Sequence, residues 1–279
     1  MQYKWSIAIY KGPMPFALKP LGRDIPVIVP ETVSDIDCST VADPFLLLRT
    51  DGWYMFFEAL NSTVNRGEIA LATSTNGTEW KYGGIVLREA FHLSYPHVFE
   101  HQGTVYMIPE TRQAASIRLY AATAFPNEWR LVSVLASGQY ADSTIFFYEG
   151  KWWILSQRGL DEMRLFHSES LESGWTEHVG NPFWAANRTY CRPGGRVICF
   201  EGKLYRFAQD GVDTYGNNLR ALQIRRLSET AFEETEIPLS PVLRPSMRGW
   251  NAMGMHHLDA VNIGPREWLG AVDGYTFTF

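Results

Sequence analysis

The chain has 279 residues, of which 46% are hydrophobic and 14% aromatic, and its formal net charge is −5. This composition is sufficient to bury a core, and the acidic balance without any dense run of Lys and Arg argues against a nucleic-acid partner. No apolar stretch reaches the roughly 18 residues of a membrane span, and the N-terminal residues lack the apolar core of a secretory signal. We therefore expect a soluble, cytoplasmic monomer without a membrane span.

The cysteines predict no crosslink. Cys38, Cys191 and Cys199 are an odd set without a CxxC pair, which argues against a disulfide framework and against a cysteine-built zinc site. We expect free thiols in a reducing compartment.

A strand between Trp5 and Tyr10 precedes a repeat with a period of about 50 residues, the range typical of propeller blades. Each repeat begins with an apolar run, a turn that carries glycine and an aromatic-rich strand, which together predict a β-hairpin. These segments are ADPFLLLRTDGWYMFFE, SYPHVFEHQGTVYMIPE, ADSTIFFYEGKWWILSQ, CRPGGRVICFEGKLYRFAQD and a looser copy, HHLDAVNIGPREWLGAVDG. A second segment follows each of the first four hairpins and predicts a third strand and the start of a fourth. The same point in three of these segments is marked by a tryptophan: Trp80, Trp129 and Trp175.

Two hairpins per period predict a four-stranded antiparallel blade, and five periods predict a closed ring. The N-terminal strand is expected to supply the outer strand of the last blade, which would close the ring and hide its edges. No segment has the pattern of a long amphipathic helix or of an interdomain linker. The predicted fold is an all-β, five-bladed β-propeller that forms a single domain over residues 1–279.

Polar residues recur where the innermost strand of each blade begins, although each of these strands then turns apolar. Because the innermost strands of a propeller line its central channel, we expect these residues to converge there. Alignment of the repeats places at this point Asp43, Tyr95, Asp142, Arg192 and His257. A solvent-facing strand end would explain any one of them, but it explains their convergence less well.

A second polar set follows the aromatic strand of each hairpin. It consists of Glu58, Glu110, Gln157, Gln209 with Asp210, and Asp273. These groups are either ligand contacts or carboxylates that cap turns and pair with Arg. Glu110 and Asp210 are the strongest candidates for a site, because each comes directly after a strand that reads as buried.

The motifs VADPF, GEIALATSTNGTEW, FHLSYPHVFE, MIPET, ADSTIF, RPGG and HHLDAV, taken together, resemble a known family. They are similar to the five-bladed propellers of glycoside hydrolase family 43 and, more closely, to the propeller at the N-terminus of glucosamine inositolphosphorylceramide transferases and related bacterial proteins. The likeness spans nearly the whole chain. It implies the propeller fold and a carbohydrate-directed channel.

In the hydrolase family the first-blade Asp is the general base, the third-blade Asp orients the acid and tunes its pKa, and a fourth-blade Glu is the acid. The resemblance therefore implies the base role for Asp43 and the orienting role for Asp142. Arg192 occupies the place of the acid, and YCRPGGRV contains no carboxylate. Since glycosidic hydrolysis ordinarily requires a proton donor, Glu110 is the predicted replacement, with His97 and His257 as further possible donors.

The remaining expectations concern ligands. We expect Tyr95, His97, Arg192, Asp210 and His257 to contact the substrate. The planar fork of Arg192 suits a carboxylate or phosphate, which favours a carbohydrate or sugar-phosphate ligand.

No cofactor is expected, although the resemblance places His257 near a channel calcium. A transition-metal site of His256, His257 and Asp259 is the other possibility, but strand alternation would turn His256 to the opposite face.

Three functions stay open at this point. The first is a glycoside hydrolase or transglycosylase with Asp43, Asp142 and Glu110 as its catalytic residues. The second is a non-catalytic carbohydrate-binding propeller that assists a glycosyl- or formyl-transferase partner. The third is a protein-interaction propeller, which a channel plugged by side chains would favour.

Overall fold

The computed structural model describes residues 2–22 and 24–278, and it consists almost entirely of short antiparallel strands. Two strands precede the first repeat, β1 (Gln2–Gly12) and β2 (Lys19–Pro20). Three 3-10 turns cover Pro30–Thr32, Arg112–Ala114 and Gly249–Asn251. A search of the described ranges finds no helix with the length and apolarity needed to cross a membrane.

The first three blades each have four strands in sequence order. Their strands are β3 (Cys38–Arg49), β4 (Gly52–Asn61), β5 (Arg66–Ser74) and β6 (Lys81–Leu87); β7 (Ser94–His101), β8 (Thr104–Glu110), β9 (Ser116–Ala124) and β10 (Glu128–Ser137); and β11 (Tyr140–Tyr148), β12 (Lys151–Arg158), β13 (Glu162–Ser168) and β14 (Thr176–Glu177). The hairpins read from the sequence are therefore present, and the five-bladed all-β prediction is confirmed.

The inner strand of the fourth blade is interrupted. It consists of two short pieces, β15 (Arg192–Pro193) and β16 (Ile198–Phe200), which both pair with β17 (Lys203–Asp210), followed by β18 (Asn218–Leu227) and β19 (Phe232–Glu236). The interruption contains Gly195, whose φ is +146°. A Cβ there would lie 1.9 Å from the carbonyl oxygen of Leu258, so only glycine fits this close approach.

The last blade closes the ring as predicted, with one difference. It contains β20 (Leu258–Gly264) and β21 (Glu267–Thr278), and β21 pairs with β1 from the Gln2 and Thr278 pair to the Gly12 and Trp268 pair. Because the chain turns back after β1, the short strand β2 lies outside it, so β1 is the third strand and not the outer one.

The core consists of five apolar clusters, and each lies between two neighbouring blades. Between the first and second blades, for example, Phe45 and Phe56 pack with Tyr95 and Met107. Such burial contributes about 1.5–3 kcal/mol for each large side chain. Each cluster therefore holds two blades together, and the ring is closed by the cluster that joins the last blade to the first.

The repeated tryptophans have one structural role. The indole nitrogen of Trp80 donates to the carbonyl of Gly77, that of Trp129 to Pro126 and that of Trp175 to Leu171. Each indole thus satisfies a carbonyl in the turn that precedes the outer strand of its blade. This shared contact explains the spacing seen in the sequence.

Candidate active site in the central channel

The inner strands of the first three blades share a bulge at the point where the polar residues were predicted. Pairing skips two residues between Ala42 and Phe45, and the same shift follows Ser94 and Ala141. The first residue of each bulge has a left-handed backbone: φ is 53° at Asp43, 45° at Tyr95 and 50° at Asp142. Left-handed non-glycine residues are uncommon, and bulges of this kind re-aim side chains beside functional sites.

The fourth blade departs from the predicted alignment by one residue. Arg192 pairs with Gln209 as Ala42 pairs with Glu58 and Ser94 with Glu110. Arg192 is therefore equivalent to Ala42, and Pro193, which still pairs with Ala208, takes the place of Asp43. The second polar set, by contrast, occupies equivalent positions in all four of these blades.

A cavity of about 620 Å³ opens at this end of the channel. Four residues of the two predicted polar sets line it: Asp43, Glu58, Glu110 and Arg192. It is also lined by residues outside those sets, among them Trp5, His92, Tyr215 and His256. The volume lies within the range of about 300–1,000 Å³ that is usual for small-molecule sites.

Asp142 lies next to the cavity, held by two donors. The Nε of Arg192 donates to its Oδ2 at 2.6 Å, and the Nε2 of Gln209 donates to the same oxygen at 2.5 Å. Burial opposes ionisation, but the charge and hydrogen bond of Arg192 outweigh it and hold the pKa of Asp142 below its ordinary value. Asp142 is therefore an anion that fixes the Arg192 guanidinium at the cavity wall.

Asp43 is buried and keeps one oxygen free of hydrogen bonds. Its Oδ2 accepts from the backbone N–H of Tyr95 at 3.3 Å, whereas Oδ1 has no partner among the described residues. The Nε2 of His256 and the Nδ1 of His257 lie 3.9 and 3.8 Å from Oδ1. Burial raises the pKa of Asp43 to about 7 against the opposing charge of His256, with Asp142 adding to the rise.

Glu110 has the opposite character to Asp142. Its side chain is 11% exposed, and the Nη2 of Arg192 lies 3.9 Å from its Oε2. That buried oxygen accepts no hydrogen bond from the described residues, but the carboxyl, when protonated, donates one to Asp142. Burial, followed by repulsion from Asp142, raises the pKa of Glu110 to about 8, although Arg192 acts the other way. Glu110 is therefore protonated at neutral pH.

Glu58 is a third carboxyl in the cavity. Its Oε1 lies 3.3 Å from the Nε2 of His92, whose Nδ1 accepts from the backbone of Gly67 at 2.9 Å. Burial, followed by repulsion from Asp43 and Glu110, raises the pKa of Glu58 well above its ordinary value. Its place in the second polar set of the sequence was the available signal for this residue.

Tyr95 and His97 do not reach the cavity, contrary to the predicted substrate contacts. The Tyr95 hydroxyl is fully buried and bonds the Thr144 hydroxyl at 2.7 Å and the backbone N–H of Gly195 at 2.7 Å. His97 stacks on Phe45 with ring centroids 4.8 Å apart. Both side chains fill the channel between blades and support the bulges.

Asp210 is likewise separated from the cavity, because its carboxylate pairs with Arg220. The Nε of Arg220 donates to its Oδ2 at 2.8 Å. Of the two predictions for the second polar set, ligand contact or pairing with Arg, the observed contact of Asp210 is the pairing with Arg.

His257 lies under Asp43 and does not line the cavity. Its Nε2 donates to the carbonyl of Pro44 at 3.0 Å, and burial lowers its pKa to about 4. It is therefore neutral.

The metal expectations do not fit the residues present. His256 precedes β20, so alternation does not separate it from His257, while Asp259 is paired with Arg196 at 2.5 Å. Asp43, His256 and Asp273 lie close enough together to share an ion, but both oxygens of Asp273 already accept hydrogen bonds. Since calcium takes 6–8 oxygen ligands, this group does not form a calcium site.

His256 belongs to an aromatic wall that sequence reasoning missed. Its ring lies 4.3 Å from that of Trp5, its Nδ1 is 2.8 Å from Asp273, and its Nε2 is 3.2 Å from the Tyr215 hydroxyl. Burial alone would lower the pKa of His256, but Asp273 raises it above its ordinary value. The wall joins residues more than 200 positions apart, so no local pattern could have revealed it.

Comparison with known proteins places the chain. The family described as glucosamine inositolphosphorylceramide transferase 1, N-terminal, matches residues 2–275. The chain belongs to this family. This confirms the resemblance read from the motifs.

A protein of Oryza sativa subsp. japonica named glucosamine inositolphosphorylceramide transferase 1 is 34% identical over 297 residues. The match covers 97% of this chain and 40% of that protein, so this chain spans less than half of its relative.

Solved structures support the fold. The catalytic domain of a Coprinopsis cinerea GH62 α-L-arabinofuranosidase superposes with a TM-score of 0.64 at 12% identity, covering 98% of this chain and 97% of that one. An exo-β-1,3-galactanase from Clostridium thermocellum superposes with a TM-score of 0.62 at 15% identity, covering 78% and 54%. The propeller of this family is thus related in fold to glycoside hydrolases.

Proposed function

We propose that this propeller acts on a glycosidic bond, with Glu110 as proton donor and Asp43 as general base. The proposal rests on one observation. Burial raises the pKa of Asp43 and of Glu110, which line the same cavity, whereas Arg192 lowers the pKa of their neighbour Asp142. A raised pKa keeps a carboxyl protonated for use as an acid, and a base works best when its pKa lies near the working pH; glycosidases use two such carboxyls.

The roles follow from the protonation states. As the bond between the anomeric carbon and the leaving oxygen breaks, Glu110 gives its proton to that oxygen. Asp43 takes a proton from water, or from an acceptor hydroxyl, whose oxygen bonds to the anomeric carbon. A base with a pKa near the working pH is well matched to this task.

Arg192 explains how the site operates without a fourth-blade carboxylate. It stands at 3.9 Å from Glu110 and is tied to Asp142 at 2.6 Å. Asp142 thereby neutralises the Arg192 charge that would otherwise favour ionised Glu110. In this proposal the pair keeps Glu110 protonated, which corresponds to the pKa-tuning part of the role that the resemblance implies for Asp142.

The ligand we propose is a sugar linked to a phosphate-bearing group, in the setting of a transferase. The support is family membership together with the name of the rice relative, which contains both glucosamine and inositolphosphorylceramide. The aromatic wall of Trp5 and Tyr215 offers a surface on which a sugar ring can stack.

The test uses 4-nitrophenyl and 2,4-dinitrophenyl glycosides of several sugars. Glu110→Gln should lower kcat/KM by about 10²–10⁴-fold for the poorer leaving group and much less for the better one, which needs no protonation. Asp43→Asn should abolish turnover of both, whereas the exposed control Asp51→Asn should change neither. Equal losses for the two leaving groups in Glu110→Gln would contradict the donor role.

A non-catalytic carbohydrate-binding function is the second candidate, and the lack of a carboxylate in the fourth-blade segment YCRPGGRV favours it. In that case, calorimetry would detect sugar binding, and the glycoside panel would yield no product. Asp43→Asn would then alter affinity alone.

A further inference from the structure

A second pocket adjoins the cavity and is rich in arginine. Its volume is about 80 Å³, and it shares Arg192 and Tyr215 with the cavity. Arg112 and Arg188 also line it, and the lining that the structure describes includes no carboxylate. Sites for whole small molecules measure about 300–1,000 Å³, so this pocket has room for one functional group and not for a sugar ring.

The charge of this pocket is not neutralised by the protein. Arg192 is paired with Asp142, but across residues 2–22 and 24–278 no carboxylate lies within 4.0 Å of Arg112 or Arg188. Other arginines near the channel, such as Arg220, have such partners. An anion in this pocket would meet the positive charges of Arg112 and of the exposed Arg188, and no carboxylate of the described lining would oppose its binding.

Both arginines project from fixed backbone. Arg112 begins a 3-10 turn directly after Thr111, whose buried hydroxyl donates to the carbonyl of Ser116. The carbonyl of Arg188 accepts from the backbone N–H of Gly211 at 3.0 Å. The pocket is therefore held between the second and fourth blades.

A groove of about 640 Å³ continues outward from Arg112. It also contains Arg158, which likewise has no carboxylate partner among the described residues, and Arg164, which pairs with Glu162 at 2.8 Å. Asp161 is the other acid of its lining. Since that lining is polar or glycine, the groove suits a hydrophilic extension of the ligand.

We propose that Arg112 and Arg188 bind a phosphate group of the ligand whose sugar lies in the cavity. Each guanidinium fork can donate two hydrogen bonds to an oxyanion. A tetrahedral phosphate has more oxygens and more negative charge than a planar carboxylate, so it suits two forks that approach from different directions. The inference deepens the proposed function, because it names the group attached to the sugar.

The experiment is calorimetry on the full chain with myo-inositol 1-phosphate, myo-inositol and inorganic phosphate. Myo-inositol 1-phosphate should bind at least tenfold more tightly than myo-inositol, and added salt should weaken the binding of myo-inositol 1-phosphate. Arg112→Ala and Arg188→Ala should each weaken its binding by about 10- to 100-fold and leave myo-inositol binding unchanged. Arg244→Ala, which removes an exposed arginine elsewhere, is the matched control.

The proposal would be overturned if the phosphorylated and the neutral ligand bound with equal affinity, or if Arg244→Ala lost as much affinity as the two pocket variants. The absence of binding of any probe would also overturn it. Binding of inorganic phosphate alone would support the pocket but contradict the proposed function. Vesicles containing phosphatidylinositol distinguish the source of the phosphate. If the protein binds these vesicles and Arg112→Ala does not, the ligand is a lipid headgroup. If the wild-type protein does not bind them, the ligand is a soluble sugar phosphate.

Discussion

Replacing Glu110 with glutamine should make the protein more stable at alkaline pH while it removes the proposed proton donor. The substitution preserves size, and the third and fourth blades already carry Gln157 and Gln209 at the equivalent position. The gain in stability should depend on pH, because the buried glutamate can lose a proton as the pH rises whereas glutamine has none to lose.

The magnitude follows from the pKa of Glu110, which burial raises from 4.5 to about 8. Between these values the unfolded chain has lost its proton and the folded chain keeps it, so rising pH favours unfolding. At about 1.36 kcal/mol for each pH unit, the wild type loses up to about 5 kcal/mol by pH 8. Below pH 4.5 both states are protonated, and the difference disappears.

Urea denaturation followed by tryptophan fluorescence at pH 4.5, 6, 7 and 8.5 measures this difference. The free energy of unfolding of Glu110→Gln should equal that of the wild type at pH 4.5 and should exceed it by a growing amount at each higher pH. The exposed control Glu79→Gln should show no such trend. A stability difference that is the same at all four pH values would refute the idea that burial keeps Glu110 protonated.

Three further outcomes can be checked by denaturation or expression. Tyr95→Phe removes buried hydrogen bonds and should cost about 1–3 kcal/mol of stability. Asp142→Asn leaves the Arg192 charge without its partner and should cost about 3–5 kcal/mol, clearly more than Asp210→Asn, because Arg220 still pairs with Glu236. Gly195→Ala should prevent folding because its Cβ meets backbone, whereas Gly150→Ala, with open space around it, should be soluble and folded.

The blades could be predicted because their signals are local. Glycine turns and aromatic strands repeat within each hairpin, and Trp80 and its counterparts bond carbonyls three or four residues away. The bulges could be located only in part. Their polar residues are visible in the sequence, but the fourth blade shifts by one because Gly194 and Gly195 interrupt its inner strand.

The partners of the site residues could not be predicted, because they come from distant parts of the chain. Asp142 and Arg192 are 50 residues apart, and the backbone N–H of Asp43 donates to the carboxylate of Asp273, which is 230 residues away. Asp210 pairs with Arg220 only because a hairpin brings them together. His256 was assigned to the wrong face because the strand begins two residues after it.

The closure of the ring has a consequence for how the chain folds. Strand β1 pairs along its whole length with β21, so β1 must remain unpaired on that side until Glu267–Thr278 has been synthesised. Contacts between such distant segments slow folding and leave an exposed strand edge in the meantime. The same proximity of first and last strands makes this propeller a good candidate for circular permutation, with new ends placed in the turn at Gly150.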